Sequence, residues 1–125
     1  MGWLVRYGLR QDTLDATAVT QAARNTAKEL GAELRVQESE DDVLQTWFTI
    51  PMAALVALED EVFGHEMTAS RLGGAVALTL VATFMEGPRG CVFTIESDDA
   101  ANDLCYETAR WIARRLGQRL DGWPL

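Results

Sequence analysis

Histidine occurs once in this chain, at His65, lysine once, at Lys28, and cysteine twice, at Cys91 and Cys105. Each shortage removes a class of chemistry. A zinc-protease helix needs a second histidine four residues after the first, and here Glu66 follows His65 but position 69 is Ala69. A loop histidine touching solvent is the plainer reading. The cysteines form no C-x-x-C pair, and no opening segment joins a basic start to an apolar stretch and a small-residue cleavage site. A disulfide framework, a redox pair and secretory export are therefore not expected. The longest apolar run, Gly73 to Val81 with a threonine-dotted continuation to Met85, falls short of the roughly 20 residues of a membrane helix. Gly73 and Gly74 precede a strand rather than a helix, so they make no phosphate loop. No nucleophile elbow, kinase set or lipidation signal is present. These absences point to a cytoplasmic protein with no cofactor, no metal and no membrane partner.

Positive charge is also scarce. Eleven basic residues against nineteen acidic ones leave a formal charge of −8, a field that repels phosphate backbones and attracts basic proteins or cationic ligands. Nucleic acid is not expected as a partner. The carboxylates gather in two runs, Glu38, Glu40, Asp41 and Asp42, and then Glu59, Asp60 and Glu61. Neither has the alternating oxygens around a central glycine of a calcium loop. They read either as solvated turn and helix surface or as a negative patch offered to a basic protein.

What the chain does have is a core. With 48% hydrophobic residues over 125 positions, its length and composition suit one globular domain, which buries about two thirds of its unfolded surface. Trp3, Val5, Tyr7 and Leu9 alternate with polar or small residues, the period of a strand with one buried face. Val19, Ala22, Ala23, Thr26, Ala27 and Leu30 then recur at helical spacing, with Asp15 or Thr13 as cap and Gly31 as stop. Ala32, Leu34 and Val36 begin a second strand. Val43 to Ile50, rich in β-branched and aromatic residues, makes a third paired with it. Pro51 opens a short helix continued by Met52, Leu55, Val56, Glu59, Val62 and Phe63. Ala75 to Met85 and Cys91 to Ser97 form a hairpin about the turn Glu86 to Gly90. A last helix, capped by Asp98 or Asp99, carries Leu104, Cys105, Thr108, Ala109, Ile112, Ala113 and Leu116 inward and stops at Gly117. The predicted architecture is α+β: an antiparallel sheet of about five strands with two long helices on one face, in the order β, α, β, β, short α, β, β, α.

An internal echo supports this reading. At a constant offset of 86 positions, Ala23, Arg24, Ala27, Leu30, Gly31 and Leu34 match Ala109, Arg110, Ala113, Leu116, Gly117 and Leu120. The same offset sets Cys91 on Val5 and Cys105 on Val19, so both thiols are predicted to be small core hydrophobes rather than nucleophiles. In the last helix, Asp98, Asp99, Asp103 and Glu107 precede Arg110, Arg114, Arg115 and Arg119, an order that the helix dipole favours without any ligand. Trp3 and Trp47 are assigned to inner strand faces. Trp111, which replaces Asn25 in the echo and leaves the apolar stripe, and Trp123, near the end, are candidate surface anchors.

No motif names a reaction, so the functional expectation rests on surfaces. The leading expectation is a non-enzymatic protein-binding module: a small acidic inhibitor, immunity-type protein or chaperone that engages a basic or apolar protein through Glu38, Glu40, Asp41, Asp42, Glu59, Asp60, Glu61, Trp111 and Trp123. A second is a small-molecule sensor or a homodimer that uses the Ala- and Thr-lined face of Ala75 to Met85, with Arg6 and Arg35 nearby. A third is an enzyme of unfamiliar type built on Glu96, Asp98 and Arg6.

Overall fold

A computed structural model describes residues 4–38, 42–58, 77–97 and 103–125. The chain runs β1 (Val5–Leu9), α1 (Ala16–Leu30), β2 (Glu33–Glu38), β3 (Val43–Pro51), α2 (Met52–Leu58), β4 (Ala77–Gly87), β5 (Gly90–Ser97), α3 (Asp103–Leu120) and β6 (Gly122–Pro124). Every strand pairing is antiparallel, and the spatial order is β2-β3-β4-β5-β1-β6. The expected α+β class and element order hold, with a sixth strand added.

Alternation decides which side of each strand is buried. Leu44, Thr46, Phe48 and Ile50 on β3 lie in register with Phe84, Ala82, Leu80 and Leu78 on β4, and all eight are buried. Ile95, Phe93 and Cys91 continue that face on β5, and Tyr7 and Leu9 on β1. The rings of Tyr7 and Phe93 stack at 5.2 Å and those of Phe93 and Phe84 meet at 4.9 Å, which ties three strands together through one aromatic row. Burying a side chain of this size stabilises by about 1.5–3 kcal/mol.

α1 and α3 pack on this face and on each other. The six stripe residues of α1 are all buried. Asp15 caps it, accepting from the Ala18 amide at 3.1 Å, and Gly31 closes it in the left-handed region at φ 73°, as the sequence predicted. α2 closes one end of the same side through buried Leu55. Between the long helices, Arg119 donates to Thr26 Oγ1 at 2.8 Å and to Glu29 Oε2 at 2.7 Å, while Arg115 Nε reaches Glu29 Oε1 at 3.3 Å. The basic end of α3 therefore clamps the neighbouring helix as well as suiting its own dipole.

Two expectations about the strands and helices need correction, and one strand lies outside them. Trp47 does not face the core: it alternates with buried Thr46 and Phe48 and points to the opposite side of the sheet. Adjacent aromatics on a strand cannot share a face, and Phe48 has Leu44 and Ile50 with it. Gly117 does not end α3, which runs on to Leu120 before Asp121 takes the left-handed turn at φ 57°. Its role is close approach: a Cβ there would lie 2.9 Å from Tyr7 Cε2. The strand β6 was not foreseen, because Gly-Trp-Pro has poor strand propensity. It pairs Gly122 with Leu9 and Trp123 with Gly8, and its indole lies where a Gly8 side chain would be, 2.9 Å from an ideal Cβ.

Candidate binding surface

With the described helices all on one side, the other side of the sheet is the place to look for a site. Register arranges its side chains in rows that cross the strands. One row reads Arg35, Trp47, Val81, Glu96, and the next reads Gln37, Gln45, Thr83, Thr94, Arg6. A third reads Val43, Met85, Val92, and is completed by Trp123 over Gly8. The face is thus neither solvated and polar nor core-like: it mixes aromatic and aliphatic groups with single charges.

Trp47 is its central feature. The Arg35 guanidinium sits 4.7 Å from the indole centroid, a cation–π contact contributing on the order of 0.5–1 kcal/mol. The indole Nε1 is shielded from solvent and has no hydrogen-bond partner among the described residues. Trp47, Arg35, Glu33, Leu34, Thr49 and Thr79 line a shallow groove of about 310 Å³. At the opposite end of the strands, a larger groove of about 590 Å³ runs along the β4–β5 hairpin between Arg6, Arg89, Met85, Val92, Trp123 and Leu125. Arg6 and Arg35 are not neighbours, since β1 and β2 stand four strand spacings apart, roughly 19 Å. Each instead serves its own groove, Arg35 beside Thr79 and Arg6 beside Met85.

The two candidate tryptophan anchors separate. Trp111 is buried at 6% exposure, with Arg115 5.1 Å from its ring, so it is a core residue and not a surface anchor. Its departure from the stripe seen in α1 reflects a wider buried arc on α3, which takes in Thr108, Trp111 and Ile112 together. Trp123 is 43% exposed and remains available. Of the acidic candidates, Glu38 ends β2 and Asp42 precedes β3, both exposed. Glu40, Asp41, Glu59, Asp60 and Glu61 lie outside the described residues, as do Trp3, His65, Asp98 and Asp99. The described residues hold ten of the eleven basic side chains but only eleven of the nineteen acidic ones. The framework is therefore nearly neutral, and the acidic surplus belongs to segments 39–41, 59–76 and 98–102.

Both thiols are buried, each with 1% exposure. Burial, then the charges of Glu86 and Asp12, push the Cys91 thiol above its ordinary range, which keeps it protonated and unreactive. Glu96 and Arg6 occupy the same face on neighbouring strands, two registers apart because Arg6 pairs with Thr94. Asp98, the third member of that imagined catalytic set, is outside the described residues. Among the described residues no group of three His, Cys, Asp or Glu side chains is placed to hold a metal ion, and no helix is long and apolar enough to cross a membrane.

No protein-family model matches the sequence, and no curated protein matches it. Among solved structures, the chain is similar to the vertebrate conserved region of human METTL16, at 9% identity and a TM-score of 0.56, covering 89% of this chain and 80% of that one. At that identity the likeness is one of fold.

Proposed function

We propose that the chain is a protein-binding module without chemistry of its own, of the small acidic inhibitor, immunity or chaperone kind, and that it docks through the face of its sheet opposite the described helices. The observation that carries this reading is Trp47: a half-buried aromatic at the middle of a row, braced by Arg35. Tryptophan and arginine are the residues that most often dominate binding energy. Glu33 lies beside that row and Glu96 ends it, both on the same face, whereas Glu38, in register with buried Leu44, belongs to the opposite side. Such an arrangement steers a basic partner toward an aromatic centre.

The test is capture of a partner by the full chain from the organism that makes it, at low and high salt. A stoichiometric protein that is lost with Trp47→Ala, and whose association slows steeply as salt rises, is the expected result. A partner that binds Trp47→Ala equally well refutes the assignment of the face. Failure to recover any stoichiometric protein at low salt refutes the module reading. Self-association would occupy the same face, and light scattering at micromolar concentration separates the two: a monomer excludes it.

A further inference from the structure

The groove at the hairpin end lies on the same side of the sheet as Trp47 but at the other end of the strands, and we propose that it binds a small organic carboxylate with an aromatic or branched aliphatic body. This does not rest on the protein-docking reading. Trp47 on β3 and Trp123 on β6 are four strand spacings apart, roughly 19 Å.

Both halves of such a ligand have a counterpart. The apolar half meets Met85, Val92 and the half-exposed indole of Trp123, which packs against the bare backbone of Gly8. The charged half meets Arg6 and Arg89, both exposed, and neither forms an ion pair with a carboxylate among the described residues. Glu86 is the one acidic side chain in the lining, and its Oε1 is engaged by the Leu14 amide at 2.7 Å. The neighbouring cation Arg10 is matched by Asp121 at 3.5 Å, which leaves Arg6 and Arg89 as the cations of the groove. A volume of about 590 Å³ suits a small molecule. The overall charge of −8 opposes an anion only weakly, because charges beyond about 8 Å are screened at physiological salt. A guanidinium inside the groove acts well within that distance and holds a carboxylate through paired hydrogen bonds.

Phenylacetate is the probe, titrated into the full chain while the indole N–H resonance of Trp123, assigned with Trp123→Phe, is followed by NMR. Saturable shifts of that resonance are expected with a dissociation constant of roughly 0.1–1 mM, the range open to a ligand of about ten heavy atoms. Phenylacetamide, equal in shape but neutral, is expected to bind at least about tenfold more weakly, and Arg6→Gln and Arg89→Gln each to weaken phenylacetate by a similar factor. Both arginines are exposed, so these variants should melt as the parent does. The proposal is overturned by no saturable shift at about 10 mM probe, by equal binding of acid and amide, or by unchanged affinity in both arginine variants. None of these outcomes bears on capture through Trp47.

Discussion

Replacing Gly117 with alanine sets two known effects against each other. In the interior of a helix, alanine is favoured over glycine by about 1 kcal/mol, and Gly117 lies within α3, three residues before its end. On propensity alone the variant should be more stable. The packing opposes this, because the new Cβ would stand 2.9 Å from Tyr7 Cε2 and 3.1 Å from Cδ2. That ring cannot swing aside, since it is 7% exposed and stacked on Phe93. Overpacking of this kind costs about 1–3 kcal/mol, so the expected net change runs from about zero to a loss of about 2 kcal/mol. For a chain of this size each kcal/mol moves the melting temperature by about 3–5 °C. The assay is thermal and urea unfolding of four proteins: parent, Gly117→Ala, Tyr7→Leu and the double variant. With the ring gone, the alanine should recover its helical advantage, so Gly117→Ala raises stability by about 1 kcal/mol in the Tyr7→Leu background. An equal rise in both backgrounds would refute the argument, because it would mean that ring and helix do not meet at Gly117.

Phe93→Ala, at a position with no exposure and aromatic neighbours on both sides, should lose about 3–5 kcal/mol in urea unfolding; a loss under about 1 kcal/mol would contradict the aromatic row. Ellman's reagent should titrate neither thiol in the folded protein and both after denaturation, and fast native reaction of either would disprove their burial. Because the folded Cys91 value is raised, its contribution is fully present below the unfolded thiol's pKa, near 8.5, and drains as pH climbs through the folded value. The stability difference between the parent and Cys91→Ala should therefore shrink above about pH 8.5, and a difference that grows there would reverse the sign of the argument.

Much of this fold was legible because periodicity reports burial directly. The stripe from Val19 to Leu30 and the alternation along β4 each came through intact, and the echo between the two ends of the chain located both cysteines inside. The errors share a cause, which is that local pattern carries no information about long-range neighbours. Gly117 has the composition of a stop, and only the Tyr7 ring from the first strand explains why a glycine is needed there. Gly122 to Pro124 pairs only because β1 lies alongside. Trp47 and Phe48 are equally apolar, and the choice between them fell to the company each keeps on its face. For the site, alternation groups the outward face of Ala75 to Met85 with Arg6 and Arg35, but strand order, which local pattern does not carry, sets those two arginines four strands apart; Arg89 sits in a turn that periodicity does not place, and Trp111 is inside rather than outside.

The two borders of the sheet are unequal. On one side lies β6, three residues long and ending its pairing at Pro124, which has no amide hydrogen to offer a newcomer. On the other side β2 presents six residues, Glu33 to Glu38, bonded only to β3 among the described strands. Among the described strands, backbone-to-backbone joining of copies is therefore favoured at β2, so two molecules meeting β2 to β2 would consume the longer of the two borders. Such a pair is closed, and the open-ended ribbon that exposed strands risk would have to continue through the three-residue β6.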